Sequence, residues 1–388
     1  MKKINKKKAR RNRAILAGIV VVLCIGLFNH TRLQLWHAGY TFDQQTVILQ
    51  SEDVSHYLDT KIDIDAWDTK KNNQHYYDYA MVHQQTGLSK TKTISYVDDV
   101  YQVYPSLQKL GYSIDNVRSL MKQNMSIKEF KALASSKVSF TTAKQYLKIN
   151  GFVAQDLKKY VASRKKPLAA ILSISHAQIN SKNKMTRTYR IANPSYLTLV
   201  KDGYGISKNY VPNDLVTVNV ATASADTPNK MRKAAATVLE KMAKAAKKKD
   251  LELVINSAYR SYTQQEELYN EYHAMYDTET ADSLVAKPGY SEHQLGLGVD
   301  MTSQSVVDGK YSTFGETKEY QWMKKNAYKY GFILRYPSSK TSITGTSNEP
   351  WHYRYVGKKA AKECYINNWT LEEYILHHGF DTKIIYAE

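Results

Sequence analysis

Ser291-Glu292-His293-Gln294-Leu295-Gly296-Leu297-Gly298-Val299-Asp300 is the stretch that decides the fold around the chemistry of this chain. Gly296 and Gly298 argue against one continuous helix from His293 to Asp300, because each glycine costs roughly 1 kcal/mol inside a helix. A turn running into a strand fits instead, with the glycines letting other backbone come close. Leu297 to Thr302 alternates, so Asp300 is expected within that strand.

Outward from this stretch, α and β signals mix. Thr227-Pro228 reads as a helix start, with the helix running through Met231, Ala235, Leu239 and Met242 to about residue 249. Leu251, Leu253 and Ile255 alternate with Glu252, Val254 and Asn256, which predicts a strand. Helices are expected over about 263–275 and 318–330, the second stopping at Gly331. Residues 332–336 and 351–356 read as strands. Thr370 with Glu373 forms a capping box for a last helix that Gly379 ends.

Composition removes several classes of protein. The chain has 388 residues, 43% of them hydrophobic and 23% charged, which suits globular units rather than disorder. Its two cysteines, Cys24 and Cys364, exclude a disulfide scaffold and a Cys-rich zinc module. No glycine loop of the phosphate-cradling kind is present. The net charge of +19 is partly local, since residues 1–13 hold eight basic side chains and no acid. No nucleic-acid-binding motif follows that tail, so nucleic acid is not an expected partner. Anionic wall polymers are a partner class that the remaining positive charge suits.

A catalytic zinc site needs three His or carboxylate ligands and one open position for water. His293, Asp300 and His352 can supply that set for one zinc ion. A carboxylate outside the ligand set must take a proton from the water and pass it to the leaving amine. Glu349, three residues before His352 in Glu349-Pro350-Trp351-His352, is the candidate.

Together with Ser257-Ala258-Tyr259-Arg260-Ser261-Tyr262, these stretches resemble the VanY-type D-alanyl-D-alanine carboxypeptidases, zinc enzymes of the bacterial cell wall. The resemblance spans about residues 195–378. It includes glutamine five residues after Arg260, Asp seven residues after the histidine of Ser-x-His, and Glu-x-x-His followed by Tyr353-Arg354-Tyr355-Val356-Gly357. It implies an α+β fold of the Hedgehog/D,D-peptidase type, an antiparallel sheet with helices. It also implies that His293, Asp300 and His352 hold zinc and that Glu349 is the acid/base. Arg260 would bind the terminal carboxylate of a peptidoglycan stem peptide, with Gln265 and Ser291 as further polar contacts. A guanidinium suits that task because it grips a carboxylate with two parallel hydrogen bonds. The implied reaction removes the C-terminal D-alanine. Cutting the L,D bond of a tetrapeptide stem places the same carboxylate at the arginine, and the motifs fit both. An inactive wall-binding module would have lost Glu349 or a ligand, and all four residues are present. A cytoplasmic D-Ala-D-Ala dipeptidase sits poorly with the export signal described next. The family often carries alanine where Gly298 stands.

The N-terminal half lies outside the resemblance. After the basic tail (1–13), residues 14–28 are fifteen uncharged residues, about 22 Å as a helix. With Asn29 and His30 they read as an uncleaved signal anchor over 14–30, with Trp36 at the interface. Basic residues stay on the cytoplasmic side, so the expected location is the cell membrane, single-pass, with the catalytic domain on the wall side. Residues 31–95 read as a juxtamembrane linker, 96–182 as a helical module and 187–388 as the carboxypeptidase domain. The module carries a weak repeat at a spacing of 40, in which Gly111-Tyr112-Ser113 aligns with Gly151-Phe152-Val153.

Overall fold

Serine and threonine caps cut the first part of the chain into short helices. Thr41, Ser113 and Ser126 cap Phe42–Gln50, Ile114–Lys122 and Ile127–Ser136, each with a reciprocal bond from the third helical residue. The computed structural model describes residues 30–51, 54–67, 75–180 and 186–387, so the anchor expected over 14–30 lies almost entirely outside the described residues. No helix among the described residues is long and apolar enough to cross a membrane. The chain divides into two units, Met1–Phe140 and Thr141–Glu388.

In the first unit, Tyr40, Ile48, Tyr57, Trp67, Tyr79 and Val82 are buried along with Val97, Val100 and Val117. The described residues of 31–95 thus carry helices and buried side chains, more structure than the short structure expected of a juxtamembrane linker. The tyrosines made this segment read as polar, but Tyr40, Tyr57, Tyr76 and Tyr79 are buried and the hydroxyls of Tyr40, Tyr57 and Tyr79 have partners. The Tyr40 hydroxyl accepts from the Ile62 amide at 2.7 Å and donates to the Tyr57 carbonyl at 3.2 Å. Arg118 closes on buried Asp78 with bonds of 2.7 and 3.0 Å.

Among the described residues, the second unit carries nine strands. They are β1 (Thr188–Ile191), β2 (Tyr204–Ile206), β3 (Leu215–Thr217), β4 (Lys230–Arg232), β5 (Leu253–Ser257), β6 (Gly298–Ser303), β7 (Phe332–Tyr336), β8 (Glu349–Tyr355) and β9 (Ile384–Ala387). The largest sheet is fully antiparallel in the order β5-β6-β8-β7. A second sheet runs β2-β1-β9, and β3 pairs with β4. Leu239, Met242 and Ala246 of the helix Lys233–Lys247 join Ile255, Val299, Met301, Phe332 and Tyr353 of the large sheet in one core. An α+β fold with an antiparallel sheet is what the sequence led us to expect.

One boundary moves. Residues 141–180 belong to the unit that carries the large sheet, so the division expected at 187 lies at 140/141. Val153, Leu172 and Ile179 lie in the same core as the strands. Arg187 closes on buried Asp156 through two bonds, one of them 3.1 Å, and His176 reaches the Gly151 carbonyl at 2.7 Å and the Tyr204 hydroxyl at 3.1 Å. Burial would raise Asp156, but hydrogen bonds from Arg187, Lys159 and Ser175 bring it down to about 2. The polar run that suggested a boundary supplies partners for buried groups. The two repeat copies fall one in each unit. Both place glycine at positive φ, Gly111 at 83° and Gly151 at 88°, ahead of a helix start.

The helix read from Thr227 begins at Lys233. Residues 230–232 pair with β3 instead, burying Met231, and Thr227 Oγ1 accepts from the Ser224 amide at 3.0 Å. Strand pairing overrides the local cap signal.

Candidate active site

Sheet register brings the first two site residues together. Asp300 on β6 stands opposite His352 on β8, with Asp300 Oδ1 2.8 Å from His352 Nδ1. His293 arrives from the turn Glu292–Leu295, which Ser291 caps and Gly296 closes at φ 66°. Its Nδ1 lies 2.6 Å from the Ala258 carbonyl, so the ring donates there and turns Nε2 towards Asp300 Oδ2 at 3.3 Å. One ligand atom from each of His293, Asp300 and His352 lies within 4.8 Å of the others. Gly298 makes the approach possible, because a Cβ there would sit 3.2 Å from His352 Cε1 and 3.3 Å from the Glu292 carbonyl carbon. An alanine at 298 would press on the ring as well as stiffen the strand.

Glu349 opens β8 opposite Tyr336 of β7, beside a register shift between Leu334 and Tyr336. A second shift lies between Ile255 and Ser257 on β5. Such irregularities re-aim side chains next to active sites. Glu349 Oε2 is 3.9 Å from His352 Nδ1, close to the ligand cluster but outside it. Arg260 follows β5 and precedes the helix Tyr262–Met275; its amide donates to the His293 carbonyl at 3.4 Å. Its Nε is buried with no hydrogen-bond partner. Gln265 is buried, donating to the Ala286 carbonyl at 2.7 Å while its Oε1 has no partner. Ser291 Oγ accepts from the His293 amide at 3.4 Å. Both residues thus have local structural bonds in addition to the substrate contacts expected of them.

The electrostatics separate two kinds of carboxylate. Burial would raise Asp300, but His293 and His352 hold it well below the usual carboxylate range. Burial pushes Glu349 up to about 7, aided by the charges of Asp300 and Glu292 and opposed by His352. One stays an anion, as a ligand must, and the other sits where it can gain or lose a proton near neutrality. Burial and the Arg260 charge lower His293, leaving a neutral imidazole. Burial also acts to lower His352, but its bonds to Asp300 and Glu292 lift it to about 10. Two imidazoles and one carboxylate, converging and nearly buried, are a donor set suited to zinc.

Sequence reading missed a buried charge network behind His352. Glu292 accepts from Arg335 at 2.9 Å and Arg354 at 2.7 Å, and Arg335 closes on Glu372 at 2.9 and 2.7 Å. The available signal was an arginine in each of two apolar strands, since arginine is rarely fully buried unless paired.

Comparison with known proteins gives the following matches. A family model described as VanY, D-alanyl-D-alanine carboxypeptidase, matches residues 228–358. The putative carboxypeptidase YodJ of Bacillus subtilis (strain 168) is 42% identical over 205 residues, covering 52% of this chain and 75% of that protein. A D-alanyl-D-alanine carboxypeptidase of Enterococcus faecalis (strain ATCC 700802 / V583) is 46% identical over 131 residues, 31% of this chain and 47% of that one. Among solved structures, the LdcB LD-carboxypeptidase is 42% identical, with 50% of this chain and 93% of that chain covered and a TM-score of 0.45. The D,D-pentapeptidase VanY from a VanB-type resistance cassette, solved with Zn(II), is 37% identical, with 47% and 99% covered and a TM-score of 0.38.

Proposed function

Because the chain belongs to the VanY family of D-alanyl-D-alanine carboxypeptidases, we propose that it is a zinc-dependent enzyme that removes the C-terminal D-alanine from peptidoglycan stem peptides. The observation that carries this reading is the convergence of His293, Asp300 and His352 within 4.8 Å, with Glu349 beside them. His293 through Nε2, His352 through Nδ1 and the Asp300 carboxylate would hold one zinc ion. Zinc bound there would polarise the scissile carbonyl and acidify a water.

The chain's own residues supply the rest. Glu349 takes the proton from the attacking water and returns it to the leaving amine, a task suited to a carboxyl raised to about 7 by burial. Burial lowers the Arg260 guanidinium from its usual range, the charges of Asp300 and Glu349 oppose that shift, and its Nε is unpartnered. A substrate carboxylate completes that guanidinium and sets the scissile bond at a fixed distance from the chain end. The basic tail and apolar run of residues 1–30 support attachment to the membrane, with the catalytic unit on the wall side.

Mass spectrometry of muropeptides after incubation with purified protein tests the reading. Pentapeptide stems should lose one alanine. Trimming of tetrapeptide stems alone would reassign the enzyme to L,D bonds, and no trimming of either would overturn the proposal. Recovery of the full chain in the soluble fraction of cells would overturn the anchor.

A further inference from the structure

His352 is approached from two sides. Nδ1 faces Asp300, and Nε2 faces Glu292 Oε2 at 3.4 Å. Glu292 is 2% exposed, and an anion so placed is costly unless it is compensated. Compensation comes from two fully buried guanidinium groups that both donate to its other oxygen, Oε1. The other donors of those arginines are used elsewhere. Arg335 donates its remaining nitrogens to Glu372, while Arg354 donates to the carbonyls of Tyr196, Thr198 and Tyr355. The clamp therefore fixes Oε1 and leaves Oε2 for the imidazole.

We propose that Glu292 is the positioning residue for His352. It receives the Nε2–H of the ring, so the Nδ1 lone pair is presented to the metal and made more basic. Ring nitrogens of metal-bound histidines are commonly held this way by a carboxylate or carbonyl. His293 is held in the opposite sense, its Nδ1–H on the Ala258 carbonyl and its Nε2 towards the site. The two ligands thus carry different tautomers, each set by a different partner. The inference rests on the reading of His293, Asp300 and His352 as a metal centre.

A merely structural Glu292 would do no more than neutralise two arginines. Glu372, the other carboxylate of the same network, separates the two roles, because no hydrogen bond joins it to His352. Zinc affinity of the full chain is measured by competition with a chromophoric chelator at fixed pH. Glu292→Gln keeps the size of the side chain and removes its charge; it should weaken zinc binding about 10- to 100-fold. Glu372→Gln should leave zinc affinity unchanged while lowering thermal stability. Equal weakening in both variants, or native affinity in Glu292→Gln, would overturn the proposal. A measurement on the native chain covers the case in which Glu292→Gln does not fold. Histidine nitrogen NMR of the cadmium-loaded protein should show the metal coupled to Nδ1 of His352 and the proton on Nε2. Coupling through Nε2 of His352 would overturn Glu292's role. A native chain that binds neither metal would overturn the metal-centre reading itself.

Discussion

Asp300 and His352 are register partners across β6 and β8, and the carboxylate oxygen of one lies 2.8 Å from Nδ1 of the other. Two candidate ligands separated by 52 residues in sequence are thus placed by the pairing of two strands. A slip of one residue in that pairing would send one of them to the opposite face and dismantle the cluster. On the other side of β8, buried Glu292 accepts from Arg335 of β7 and Arg354 of β8 and so ties those two strands together.

Glu349 and the ligands should separate in mutants. Glu349→Gln removes the proton carrier without removing a ligand atom from the cluster. Turnover should fall about 10²- to 10⁴-fold while zinc content, read by elemental analysis, stays at the native level. Asp300→Ala should lower zinc content. An Asp300→Ala protein with full zinc and full activity would remove Asp300 from the site.

Arg260 should read the free terminus of the peptide. Stem peptides with an amidated C-terminus should be cut far more slowly than the free acids, by up to about 10⁴-fold where a site is built around a polar partner. Arg260→Lys should also weaken binding, because a lysine cannot offer two parallel donors. Equal cleavage of amide and acid would show that the enzyme is not an exopeptidase.

His176 should make the second unit acid-sensitive. Burial pushes it down to about 4; Arg187 acts in the same direction, while the Gly151 carbonyl and Asp156 oppose the shift. In the unfolded chain a histidine titrates near ~6.5. Above that pH both states are neutral and the contribution to stability is complete. As pH falls from 6.5 towards 4, the unfolded state binds the proton first and the fold loses about 3 kcal/mol, with no further loss below. Amide exchange in β1 and β9 at neutral pH and near pH 4.5 reads this unit directly. His176→Gln should flatten that dependence, and an unchanged slope would show that another group is responsible.

Truncation should locate the true boundary. A chain beginning at Thr141 keeps Asp156 for Arg187 and Gly151 for His176, and should retain zinc binding and activity. A chain beginning near Ser181 loses Val153, Leu172 and Ile179 from the core and leaves Arg187 without its carboxylate. Poor solubility is the expected result for the shorter chain. Full activity and native stability there would show that residues 141–180 are dispensable.

The sequence by itself determined the chemistry that depends on short spacings. The glycines between His293 and Asp300 read as a turn into a strand, and the structure has a turn closed by Gly296 at φ 66° and then β6. Glu349 and His352 share one strand, three residues apart. The capping box of Thr370 and Glu373 was legible for the same reason, since both partners lie within one helical turn. Only the tertiary structure decided what lies behind the site. Glu292 meets Arg335 and Arg354 across 43 and 62 residues, and an arginine within each strand hints at burial without identifying its partner. It also decided that the described residues of 31–95 form helices with buried side chains and that residues 141–180 join the unit carrying the large sheet. Tyrosine and arginine read as polar in a sequence, because their cost of burial is set by partners that only the folded chain supplies.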